Sequence, residues 1–129
     1  NWYRQWIKTA ERLEGIAASC LSSGHLVSAR RAFLRAASYF SASAVFIDGT
    51  EDPSRGVAAW KRHLACWEKF CSLLTPPAER VSIPYEENSM PGWFFAPDNA
   101  DRPRAVIIFN NGSDGPTCGM WRRVPPRSP

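Results

Sequence analysis

Val106-Ile107-Ile108-Phe109 is a run of four apolar side chains, three of them β-branched, and Asn110-Asn111-Gly112-Ser113-Asp114-Gly115 follows at once. Such a run predicts a strand buried on both faces, as in a central or parallel position, opening into a loop that needs backbone freedom. Polar backbone gathered at the end of a buried strand is where open α/β sheets hold their ligands. The functional reading is a loop that turns main-chain N–H groups toward developing negative charge. A tight turn closing a core strand is the plainer alternative.

The residues before this run are helical in pattern. Trp2, Trp6, Ala10, Leu13, Ala17 and Cys20 recur at steps of three and four, which predicts an amphipathic helix to about Leu21. Ser22-Ser23-Gly24 ends it, with Gly24 suited to the left-handed conformation of a C-terminal cap. A second helix is expected from about Leu26 to Phe46, with the stripe Leu26, Ala29, Phe33, Ala36, Phe40 and Ala44. Asp52 as N-cap and Pro53 at the first helical position start a third. Its predicted apolar face is Val57, Trp60, Leu64, Trp67, Cys71 and Leu74, and Thr75-Pro76-Pro77 stops it. Residues 1–77 therefore read as a helical bundle or cap domain.

Beyond Pro77 the period changes to two. Val81, Ile83 and Tyr85 alternate with Arg80, Ser82 and Pro84, a half-buried strand with an edge-like proline. Glu86-Glu87-Asn88-Ser89 is a turn, and Met90 to Ala96 returns as the second arm of a hairpin. The opening run, from about Arg104, is the third strand of residues 78–121. Residues 122–129, with three prolines in Val124-Pro125-Pro126-Arg127-Ser128-Pro129, form an irregular basic tail.

The formal charge is +4, but Arg122, Arg123 and Arg127 supply three of those charges, so residues 1–121 carry only +1. A nucleic-acid surface on the body of the protein is not supported. No apolar run reaches the length of a membrane span. Cys20, Cys66, Cys71 and Cys118 are scattered, without a Cys-x-x-Cys pair, which predicts a reduced, cytoplasmic protein. His63-x-x-Cys66 lacks further ligands in phase, since Cys71 is rotated away, so no metal is expected; a buried thiol beside a surface imidazole is. His25, at a helix start, should be solvated. The carboxylates of Glu86 and Glu87 fit a solvated turn, and Arg30, Arg31 and Arg35 a wet helix face.

The order of these pieces matters. Helices, then Val81-Ser82-Ile83-Pro84-Tyr85 with Met90-Pro91-Gly92-Trp93-Phe94-Phe95-Ala96-Pro97, then Ala105 to Gly115, resembles the front part of α/β hydrolases that carry an N-terminal helical domain. That group includes the dihydroxy-pseudooxynicotine hydrolase and the esterases similar to the fermentation-respiration switch protein. The resemblance implies an α/β fold in which the hairpin and the following strand begin the hydrolase sheet. It implies a serine-type hydrolase of esters or C–C bonds, with a small-molecule substrate and no cofactor. Arg35 to Phe40 then lie in a cap helix, with Tyr39 and Phe40 as substrate contacts. Gly112, Ser113 and Asp114 take the position of the oxyanion loop: the Ser113 N–H is the donor, Gly112 permits close approach and Asp114 shapes the turn.

The family's nucleophile sits in Gly-x-Ser-x-Gly, followed by an acid and a His. That motif does not occur here, and neither His25 nor His63 lies where a base for Ser113 is expected. The expectation is a truncated or frame-shifted product, or a fragment, inactive alone. A reading from another class is a non-catalytic helical interaction protein, whose unpaired sheet edge favours a homo-oligomer or a binding partner.

Overall fold

A computed structural model describes residues 2–121. Three long helices come first: α1 (Trp2–Ser22), α2 (Leu26–Ala44) and α3 (Ser54–Ser72). The hairpin strands β1 (Glu79–Tyr85) and β2 (Asn88–Phe94) follow, and a short helix α4 (Thr117–Met120) closes the described chain. A single 3-10 turn at Ile47–Gly49 lies between α2 and α3. Among the described residues no helix is long and apolar enough to cross a membrane.

Helix α2 is the middle element, and both α1 and α3 pack on it. Its buried face includes Ala29, Ala32, Ala36 and Ala37, small enough for close approach, with Phe33 and Phe40 filling the space between. Helix α1 contributes Ala10, Leu13 and Ala17 from the predicted stripe. The turn to α2 is a Schellman closure: the His25 N–H donates to the Cys20 carbonyl at 2.8 Å and the Gly24 N–H to the Leu21 carbonyl at 3.1 Å. Gly24 has φ +75°, the left-handed value that a side chain would oppose. Opposite α2, Arg62 of α3 lies 4.4 Å from the Phe40 ring centroid and reaches Glu11 and Glu14 of α1. This bridge ties the outer helices across the central one.

Helix α2 ends two residues earlier than expected, at Ala44, and Phe46 takes a left-handed φ of 66°. Helix α3 starts at Ser54 with Pro53 as its cap residue; Asp52 instead accepts hydrogen bonds from the side chains of Ser54 and Arg55. The buried face of α3 also differs from the predicted one in its first half. Val57, Trp60 and Leu64 are exposed, whereas Gly56, Ala59 and His63 are buried. The reason is steric: a Cβ at Gly56 would stand 2.9 Å from Ile47 Cγ2, so the smallest residues mark the face of closest approach. Past His63 the prediction and the structure agree on Trp67, Cys71 and Leu74.

The hairpin pairs Glu79 with Phe94, Ile83 with Met90 and Tyr85 with Asn88, leaving a two-residue turn with Glu86 at φ +50°. Its second strand is shifted two residues toward the N-terminus from the predicted Met90–Ala96 span. The face bearing Trp93 turns to the helices, where Trp93 and Phe95 meet the Trp67 ring edge to face at centroid distances of 6.2 Å. The other face carries Ile83, Tyr85, Met90 and Phe94, all exposed.

The third strand expected from about Arg104 does not form. Residues 103–110 have no strand assignment, and Val106, Ile107 and Ile108 are 68%, 68% and 84% exposed. A doubly buried strand needs hydrogen-bonding neighbours and two covering layers. Among the described residues β1 and β2 pair only with each other, so nothing supplies them. The basic tail, residues 122–129, lies outside the described residues.

Candidate functional site

The Gly112-Ser113-Asp114-Gly115 segment is a tight turn, closed by the Gly115 N–H donating to the Gly112 carbonyl at 2.9 Å. The Asn111 side-chain amide donates to the Gly115 carbonyl and holds the turn from outside. Within the turn itself, the glycine with least room for a side chain is Gly115. A Cβ at Gly115 would meet Asn111 Cβ at 3.0 Å and the Gly112 oxygen at 3.3 Å, whereas one at Gly112 would meet nothing within 4 Å. Gly112, Ser113 and Asp114 are exposed, and the Ser113 N–H donates to no described residue.

The turn is anchored on its C-terminal side. Cys118 of α4 is buried at 3% exposure, with its Sγ 3.6 Å from Ser38 Oγ on α2. Trp121 then packs on Phe70 and Phe95, at centroid distances of 4.8 and 5.5 Å. A surface cavity of about 180 Å³ lies at this junction, lined by Leu34, Arg35, Ser38, Tyr39 and Cys118. Thus Tyr39 and the segment just after the turn share one hollow. Phe40 does not join them: it is fully buried, with the Arg62 guanidinium over its ring.

The charged groups near Phe40 form a structural bridge. Burial works against the Arg62 charge, but hydrogen bonds to Glu14 and Glu11 outweigh it and raise its pKa. Cys66 lies 3.5 Å from the Glu14 carboxylate; burial, reinforced by that negative neighbour, pushes its thiol up to about 12. Burial does the same to Cys71, also to about 12. Neither thiol is ionised at neutral pH, so neither is a nucleophile.

His63 was expected at the surface and is fully buried. Its Nδ1 sits 2.9 Å from the Ala37 carbonyl, which fixes Nδ1 as the donor, while Nε2 is enclosed without a partner among the described residues. That ring cannot serve Ser113 as a base. Sequence reasoning missed it because a lone imidazole in a helical stripe gives no sign of which side faces inward; Ala59 and Gly56, one and two turns earlier, were the available signal. His25 is exposed, as expected. Among the described residues no three His, Cys, Asp or Glu side chains gather to hold a metal ion.

The sequence that builds this helical block, hairpin and glycine turn is similar to those of several hydrolases. The chain is 39% identical to the hydrolase acrC of Aspergillus aculeatus over 74% of its own length, which is 24% of that relative. It is 33% identical to the α/β hydrolase gkaG of Penicillium citrinum over 88% of its length, 27% of that relative. To the α/β hydrolase xenA of Xenoacremonium sinensis it is 29% identical over 92% of its length, 32% of that protein. No family model and no solved structure matches the chain. The chain belongs with the α/β hydrolases, as a portion consistent with their N-terminal part, and it spans about a third or less of the relatives' length.

Proposed function

We propose that this chain is the cap and oxyanion-loop portion of a serine-type α/β hydrolase acting on an ester or a ketone C–C bond. In this reading residues 1–77 form the cap and residues 78–121 begin the hydrolase domain. The nucleophile, acid and catalytic His belong to the length of the relatives that this chain does not span. Its location is cytoplasmic, in keeping with four scattered cysteines that include no Cys-x-x-Cys pair.

The observation that carries the reading is the Gly112–Gly115 turn. It leaves the Ser113 N–H without a partner among the described residues, and it is held through Cys118 against the helix bearing Tyr39. Acyl transfer passes through a tetrahedral species with charge on oxygen, and a preorganised N–H aimed at that oxygen stabilises it by on the order of 3 kcal/mol. Ser113 supplies this donor, Gly115 lets the turn close, and Tyr39 borders the substrate. In the complete domain Val106 to Phe109 take their place as an inner strand.

The purified 129-residue chain is expected to give no turnover of p-nitrophenyl acetate above buffer and no covalent adduct with a fluorophosphonate. Serine-dependent turnover, or a labelled Ser113, would overturn the division of labour. A second reading, a non-catalytic interaction module, rests on the exposed apolar face of Ile83, Tyr85, Met90 and Phe94. Sedimentation at several concentrations separates it: formation of a defined complex with a partner, without any hydrolase-length form having activity, would favour it.

A further inference from the structure

The glycine turn contains a reactive pair that oxyanion binding does not use. Asn111 is followed by Gly112, and both are exposed. Residues 103–112 have no helix or strand assignment, so no ladder of hydrogen bonds holds the backbone around this pair. A side-chain amide can be attacked by the next main-chain nitrogen to close a cyclic imide. The step is fastest before glycine, whose missing Cβ leaves that nitrogen open.

Asp48, Asn111 and Asp114 all precede a glycine, but the nitrogens that follow them differ. The Gly49 N–H donates to the Phe46 carbonyl at 3.4 Å, and the Gly115 N–H to the Gly112 carbonyl at 2.9 Å. The Gly112 N–H donates to no described residue, and a Cβ on Gly112 would meet nothing within 4 Å. Asp48 and Asp114 also present a carboxylate, a poorer electrophile than an amide. The other described asparagines lack the combination. Asn88 is held in β2, and Asn110 precedes a residue with a side chain. Asn99 precedes Ala100, whose N–H is taken by the Asp98 carboxylate at 2.9 Å.

We propose that Asn111 is a self-modification site, deamidated through a cyclic imide with Gly112, and that the change disables the oxyanion turn. The Gly112 nitrogen attacks Asn111 Cγ. A C–N bond forms there, the Cγ–Nδ2 bond breaks, and Nδ2 leaves as ammonia with the Gly112 proton. Water then opens the imide at either carbonyl, giving aspartate or isoaspartate, and nothing is oxidised or reduced. Either product replaces the Asn111 amide, which donates to the Gly115 carbonyl, with a carboxylate that cannot donate and repels that oxygen. Isoaspartate also lengthens the main chain by a carbon beside Gly112. The new negative charge stands next to the Ser113 N–H, where it opposes an incoming oxyanion. The modification itself needs no catalytic group; its effect on the turn's chemistry rests on the hydrolase reading.

The test ages the purified 129-residue chain in mildly alkaline buffer and reads its tryptic peptides by mass spectrometry. The peptide Ala105–Arg122 should gain the mass difference between an amide and an acid, placed at Asn111 by fragmentation. Isoaspartyl methyltransferase should label that position, while Asn88, Asn99 and Asn110 stay amides and Asp48 and Asp114 stay unlabelled. Gly112→Ala and Asn111→Gln should each abolish the change over the same period, with circular dichroism confirming that the helices persist. An Asn111 that stays intact, or a Gly112→Ala chain that converts at the original rate, would overturn the site. In a hydrolase-length form that turns over esters, activity should fall in step with conversion; full conversion without loss would overturn the effect on the turn. Conversion in a longer form that never hydrolyses esters would sink the hydrolase reading alone.

Discussion

His63 concentrates the energetics of single residues in this fold. Its ring is enclosed, it donates through Nδ1 to the Ala37 carbonyl, and burial pushes its pKa below the usual 6.5. Since the folded state resists protonation, the unfolded chain binds the extra proton first as pH falls through 6.5. Stability is therefore complete above that value and declines below it. Thermal melts should lose midpoint progressively from about pH 6.5 to about pH 5, before carboxylates contribute. His63→Gln, which retains a donor for Ala37, should flatten that decline; an unchanged slope would mean that another group is responsible. Trp67 is a second such residue, 1% exposed, with its indole nitrogen unpartnered among the described residues. Its replacement by Ala should cost about 3–5 kcal/mol in denaturant unfolding, a large part of the stability of a small domain.

At the scale of elements, legibility depended on whether the needed partners lay inside the described chain. Helix α1 was readable because Ala10, Leu13 and Ala17 face α2 in the phase their spacing gives. In the first half of α3, hydrophobicity favoured Val57, Trp60 and Leu64, but close approach to Ile47 put Gly56 inward and turned those side chains out. The run from Val106 to Phe109 has the composition of an inner strand and no strand beside it, so composition and structure part there. Within the site, the turn at Gly112–Gly115 was legible from Asn-Gly and Asp-Gly, whereas its tether through Cys118 to Ser38 is a contact across 80 residues that spacing cannot show. The hairpin depends on Trp93 in the same non-local way. Trp93→Ala should destabilise by about 2 kcal/mol. Amide exchange over residues 79–94 should rise sharply while α1 and α2 keep their protection; equal loss across the helices would show one cooperative unit instead.

For the molecule as a whole, the outstanding feature is apolar surface left open. Ile83, Tyr85, Met90 and Phe94 on the hairpin, with Val106, Ile107 and Ile108 beyond it, are all exposed. Apolar side chains left open in this number promote association. The isolated chain should therefore bind a hydrophobic dye such as ANS and sediment with concentration-dependent mass. Ile83→Lys with Ile107→Lys should shift it toward monomer without changing its helical circular dichroism. A dye-silent monomer at all concentrations would contradict the exposure described here. The same surface fits a piece of a larger hydrolase, as does coverage of only 24–32% of the relatives compared.

The central claim, that the Gly112–Gly115 turn offers the Ser113 N–H to an oxyanion, is tested most directly by removing that one donor in a catalytically complete context. Residues 1–121 would replace the matching part of the acrC hydrolase, with and without Ser113→Pro. Proline suits the second position of such a turn and deletes the N–H; Ser113→Ala, which removes the hydroxyl and keeps the N–H, is the control and should leave kcat unchanged. The account predicts a fall in kcat of about 10²–10³ with little change in KM. An active chimera whose kcat is untouched by the proline would contradict it.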